Sequence, residues 1–101
     1  MVTVTKRYDD NSPDEGAIRA ALEKDGLSVD AWSAEASTVN GPEALGYDRT
    51  IVVISGMARI TLPDSPEEYA DLMGGDRIDI PAGTKHGLMA GPAGASGVEG
   101  K

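Results

Sequence analysis

The first periodic stretch of the chain is helical. Ile18, Ala21 and Leu22 recur at the spacing of one helix face, and residues 12–26 around them carry matching punctuation. Ser12 is placed to cap the N-terminus, Pro13 to fill the first helical position, and Glu15 to complete a capping box with Ser12. Gly26 supplies the left-handed residue on which helices end. A helix this short is marginal alone, so its stripe is expected to pack on something larger.

After Gly26 the period changes to two. Leu27, Val29 and Ala31 alternate with Ser28, Asp30 and Trp32, which predicts a half-buried strand. Residues 37–45 show little alternation, and Asn40-Gly41-Pro42 marks a loop. Residues 50–54 and 58–62 are rich in β-branched side chains and flank Ser55-Gly56, the pattern of a hairpin. The first of these arms is apolar on both faces, as a covered central strand requires. Residues 63–66 read as a loop, and residues 68–73 fit a strand or a helical turn equally well. Gly74-Gly75-Asp76 and Pro81-Ala82-Gly83 read as turns on either side of a cleanly alternating strand at 77–80. A further strand is expected at 85–90, a turn at 91–97, and a closing strand at Val98-Glu99. The pattern predicts an all-β sandwich or barrel preceded by one short N-terminal helix.

Composition narrows this picture. With 101 residues, the chain suffices for one domain, divided into an N-terminal segment at 1–11, the helix at 12–26 and the barrel at 27–100. Phe is absent, so the core must come from Val, Ile, Leu, Ala and Met, with one Trp and three Tyr. Seventeen acidic residues against nine basic ones give a net charge of −8. That surface repels phosphates and anionic membranes, so neither nucleic acid nor membrane is an expected partner. With no Cys, disulfides and thiolate metal sites are excluded. No apolar run is long enough to span a bilayer, and residues 1–7 lack the apolar stretch of a signal peptide, so the expected compartment is the cytoplasm.

One stretch carries a motif. Gly75-Asp76-Arg77-Ile78-Asp79-Ile80-Pro81-Ala82-Gly83-Thr84-Lys85-His86 fits G-x5-P-x-G-x2-H at each fixed position. The first glycine turns the chain into a strand, the proline ends it, and the second glycine permits another turn. This resembles the second motif of the cupin family. The run from Tyr47 to Gly56 is similar to the first hairpin of small cupins, and the helix followed by a strand bearing Trp32 resembles their N-terminal part. The likeness covers roughly residues 15–100. It implies a jelly-roll β-barrel of two antiparallel sheets enclosing a ligand cavity, with His86 facing inward. It also implies a homodimer formed through sheet edges.

The resemblance further implies a divalent metal, held by two His and one Glu of a first motif, G-x5-H-x-H-x(3,4)-E-x6-G, together with the His of the second. Anchored on Gly56, that pattern puts Arg49 at the glutamate position. Leu45 and Glu43, or Ala44 and Pro42, stand where the histidines belong, and Ser37 or Ala36 replaces the leading glycine. His86 is the only histidine, so three of the four ligands are missing and no metal or other cofactor is expected. An inward Arg49 adds a fixed positive charge that disfavours a cation beside it.

The candidate ligand-binding residues are therefore His86, Arg49, Glu43 and Tyr47, with His86 the best candidate for any catalytic role. Arg49 is suited to a carboxylate or phosphate through its planar fork, or pairs internally with Glu43 or Asp48. Tyr47 and Trp32 line the cavity or pack at its rim. Met57 and Met89 are expected as gap-fillers in the barrel, Lys85 as an outward charge, and Asp76 and Asp79 at the surface, with Asp76 capping its own turn. Three functions remain open. They are small-molecule binding without a metal, an enzyme using His86 in acid–base chemistry or a carboxylate-rich metal site at Glu43, Asp48 and His86, and a non-catalytic dimeric scaffold.

Overall fold

The computed structural model describes residues 2–6 and 14–101. The helix, α1, spans Glu15–Lys24 and buries Ile18 and Leu22. Its N-cap is Asp14, whose carboxylate accepts a hydrogen bond from the Gly16 N–H at 3.0 Å. The cap observed is thus Asp14, and the expected cap Ser12 and first helical residue Pro13 lie outside the described residues. Gly26 follows at φ 87°, as a helix stop requires.

Among the described residues the other regular elements are seven antiparallel strands: β1 Thr3–Thr5, β2 Val29–Ala34, β3 Val39–Ala44, β4 Arg49–Leu62, β5 Glu68–Met73, β6 Arg77–Ile80 and β7 Lys85–Gly100. Two of them were not expected to be continuous. Ser55-Gly56 does not turn a hairpin, and 91–97 is not a connection between strands. Each is an irregularity inside one long strand, and β4 and β7 pair with each other from Thr50↔Gly100 to Thr61↔Gly87. The register shifts between Val53 and Ser55 and again between Gly56 and Ala58. Glycine permits the bend here: Gly56 has φ 77°, and a Cβ on it would lie 2.1 Å from the Gly94 carbonyl oxygen.

The bend divides a single hydrogen-bonded network into two layers. The first half of β4 and the second half of β7 join β6, β1 and β2. The second half of β4 and the first half of β7 join β5 and β3. Residues 37–45, read as a loop, contain β3, which is interrupted by a bulge between Asn40 and Glu43. Every position of β3 is exposed, so its sequence shows no alternation. Residues 68–73 form a strand.

The first arm of β4 is covered on both faces, as its composition requires. Val52 faces outward with Val98 under Ile18 and Leu22 of the helix. Ile51 and Val53 face inward with Ala58, Ile60, Leu62, Leu72, Ile78 and Ile80. On β2, Val29 joins the helix side and Trp32 the inner side, while Ala31 is exposed rather than buried with Val29. Met89 is exposed on the outer surface, so it fills no gap in the barrel. Asp76 is buried rather than superficial; its carboxylate accepts from the Met73 N–H at 2.9 Å and from Lys6 Nζ at 3.0 Å, capping the β5–β6 turn. No described helix is long and apolar enough to cross a membrane.

Candidate functional site

The two flanks of the barrel differ. On the β4 side, aliphatic side chains fill the space between the layers. On the β7 side, β2 and β3 stand apart and leave a cleft of about 530 Å³. Trp32 and Ser33 of β2, Glu43 of β3, Arg49 of β4, and His86 and Leu88 of β7 line it.

His86 is brought inward by the turn that its motif encodes. Pro81 ends β6, Gly83 turns at φ 84°, and β7 begins at Lys85, which is exposed as expected. Asp48 accepts a hydrogen bond from the Ala82 N–H at 2.8 Å, and the Gly83 N–H donates to the Leu45 carbonyl at 2.8 Å. The chain before β4 thus clamps the turn. His86 is 3% exposed. One ring nitrogen, Nδ1, lies 3.0 Å from the Thr84 carbonyl oxygen and the other, Nε2, 3.2 Å from Arg49 Nη1. A carbonyl only accepts and a guanidinium only donates, so Nδ1 carries the proton and the Nε2 lone pair receives Arg49.

Arg49 opens β4 and faces the same way as Ile51 and Val53. Its Nε donates to Glu99 Oε2 at 2.6 Å. The Arg49 partners are thus Glu99 and His86, not Glu43 or Asp48. Glu99 escapes a reading by sequence proximity because strand register, Ile51↔Glu99, brings it across from β7. Its visible signal is a single acidic residue near the end of an apolar, glycine-rich final strand. The remaining Arg49 N–H groups, including both on Nη2, have no acceptor among the described residues.

Glu43 sits directly opposite His86 in the β3–β7 ladder and lines the cleft from its exposed rim. Asp48 is committed to the turn, so Glu43, Asp48 and His86 do not converge. Tyr47 does not line the cleft; its exposed ring lies beneath Lys101 Nζ, 5.5 Å from the centroid. Trp32 does line it, with Nε1–H donating to the Val98 carbonyl at 3.1 Å. A larger hollow of about 720 Å³ lies beside Val2, Leu62 and Tyr69, but its charged neighbours Asp64 and Glu67 are exposed.

No group of three His, Asp or Glu side chains among the described residues is placed to hold a metal ion. The donor chemistry agrees with that geometry: the single imidazole lone pair and the nearest carboxylate, Glu99, both face a guanidinium. These residues do not fit a resident divalent cation.

Two layers bent from one network, a helix outside, and an inward histidine after a Gly-Pro-Gly turn define a known architecture. A cupin superfamily protein from Desulfitobacterium hafniense superposes with a TM-score of 0.59 at 17% identity, covering 98% of this chain and 74% of that one. The chain has the cupin fold. An acireductone dioxygenase from Bacillus anthracis, with a cadmium ion in its active centre, superposes on the same barrel with a TM-score of 0.64 at 14% identity. That match covers 98% of this chain and 76% of the dioxygenase. No protein-family model matches the chain, and no curated protein sequence is significantly similar to it.

Proposed function

We propose that this cupin barrel binds a small, uncharged polar molecule in the β2–β3 cleft, and that it does so without a metal. The observation that carries this reading is the state of Arg49. Its charge is matched by Glu99 at 2.6 Å, and Glu43 adds a negative charge at the rim, so the cleft has no surplus positive charge for an anion. The uncommitted N–H groups of Arg49 still suit a neutral acceptor such as a carbonyl oxygen, while Trp32 and Leu88 offer an apolar wall. Both nitrogens of His86 are engaged, which favours recognition over proton transfer there.

Trp32 is the sole tryptophan, so its fluorescence reports on the cleft alone. Titration with a panel of small amides and lactones should shift that emission saturably, and same-sized carboxylates should not. Arg49→Gln should abolish the response. Carboxylates that bind tighter than the neutral compounds, or a panel that leaves Trp32 silent, would refute the proposal.

A second reading, self-association, is favoured by a different surface. Val39, Met89, Met73 and Tyr69 are exposed, and strand register puts them on the outer face of the β3–β7–β4–β5 layer. Sedimentation equilibrium of the protein and of Met73→Lys separates a dimer formed through this face from a monomer.

A further inference from the structure

We propose that the hollow between β1 and β5 is a second binding site, and that it takes a small organic cation with an apolar body, such as a primary amine on an aromatic or alkyl group. The site stands apart from the β2–β3 cleft and from whatever that cleft binds.

It follows from the two strands that end the layers on this flank. Among the described residues β1 pairs with β6 alone and β5 with β4 alone, so each leaves a free edge beside the hollow. The aliphatic core closes the barrel beneath these edges, but the edges themselves do not meet. Val4 shows the result. Paired with the fully buried Ile78, it points to the same inward face, yet it is 39% exposed. An apolar side chain at an inward position that still meets water marks a surface without its cover. Val2 and Val4, Leu62 at the end of β4 and Ala70 on β5 give the hollow of about 720 Å³ an apolar lining, and its volume suits a small molecule.

Both ends of the hollow are braced. At one, Lys6 Nζ reaches from the end of β1 to the Asp71 carbonyl of β5 and to the Asp76 carboxylate at 3.0 Å. At the other, the Ser65 N–H donates to the Leu62 carbonyl and the Glu68 N–H to the Ser65 carbonyl, each at 3.0 Å. This connection brings Asp64 and Glu67 to the rim. The Ser65 hydroxyl donates to Glu67 Oε2 at 2.6 Å, which holds the Glu67 carboxyl below its ordinary value and keeps it ionised at neutral pH.

Charge selects the occupant. The lining carries two carboxylates and, among the described residues, no Lys, Arg or His. Lys6 and Arg59, on strands of this flank, are already paired with Asp76 and Asp71. With a net charge of −8, the chain offers no surplus of positive charge to offset the rim. The β2–β3 cleft differs on this point, because Arg49 stands there with its own charge. An apolar floor with two anions at the rim fits an ammonium head on an apolar body and repels a carboxylate of the same shape.

The test uses the full chain labelled with ¹⁵N and probes of similar shape: phenethylammonium, phenethyl alcohol and phenylacetate. Phenethylammonium should shift the amide signals of Val4, Ala70 and Glu67 saturably and leave the Trp32 indole N–H unmoved. It should bind about fivefold more tightly than the alcohol, the scale of an ion pair near a surface, and that preference should fade as salt rises. Phenylacetate should bind most weakly. Asp64→Asn combined with Glu67→Gln changes exposed side chains only, so the fold should persist. It should bring the ammonium down to the affinity of the alcohol and leave the alcohol unchanged. Phenylacetate that binds as tightly as the amine, or an ammonium preference that survives the double substitution, would overturn the proposal. So would shifts at Trp32 with the hollow unmoved, or hollow signals that none of the probes moves at millimolar concentration.

Discussion

The two flanks of this barrel use the same strands for opposite ends. Between β5 and β6, the inward positions of β4 are Ile, Val and Leu, and they meet Leu72, Ile78 and Ile80 with no polar atom among them. Between β2 and β3, the polar inward positions of β4 and β7 are Arg49, His86 and Glu99, linked through Arg49 to one another, with His86 also held by the backbone. The first flank is held by burial and close packing, which have no direction. The second is held by directed polar contacts, which can be exchanged for contacts with another molecule. A barrel that closes one flank with aliphatics can leave the other open.

The most damaging way to break this comparison is to disrupt the bend that both flanks share. Gly56→Val introduces a side chain at φ 77°, 2.1 Å from a backbone oxygen. It should destabilise by more than about 4 kcal/mol and leave little folded protein in a urea titration. Next, Leu72→Ala opens the closed flank. It should cost about 2–5 kcal/mol by chemical denaturation and leave the Trp32 response in the cleft intact. A loss of ligand response without loss of stability would show that the flanks are not independent.

Arg49→Met tests the open flank from the inside. Its ion pair is about 20% exposed on each side, so the charged hydrogen bond to Glu99 is partly shielded from water. The loss should be about 1–3 kcal/mol, and the double variant with Glu99→Gln should recover part of it, since Glu99 is then no longer left unpaired.

The smallest effect belongs to the outer surface, which neither flank uses. Arg59 donates to both oxygens of Asp71, at 2.7 and 3.1 Å, and lies 4.0 Å from the centre of the Tyr69 ring. Those hydrogen bonds hold the Asp71 carboxyl below its ordinary value of 3.8. A carboxyl depressed in the folded state contributes stability above its unfolded value, and that contribution fades as pH falls through the lower, folded one. The Tm difference between the native chain and Asp71→Asn should therefore be small at neutral pH and vanish on acidification below about pH 4.

What could be read in the sequence follows from how local each signal is. The turn–strand–turn at 75–86 is set by glycine and proline positions a few residues apart, so it and the inward His86 were legible. The continuity of β4 and β7 was not, because a glycine that bends a paired strand and a glycine that reverses the chain look alike until the partner strand is known. β3 was hidden because all its side chains face water, which removes the alternation that marks a strand. Asp14 and Ser12 are both good caps, and only the backbone decides between them. The Arg49 partnership with Glu99 spans the whole barrel in sequence, and nothing short of strand register relates the two.

That register has a mechanical consequence. β4 and β7 are folded together at Gly56 and Gly94 like the two arms of a spring clip, with one layer on each arm. Arg49 lies near the free end of one arm and His86 at the free end of the other. Their hydrogen bond is a latch across the gap, and its two halves are the groups that face the cleft. A molecule that took a hydrogen bond from Arg49 at His86's expense would therefore act on a contact that ties the two layers where the bend is farthest.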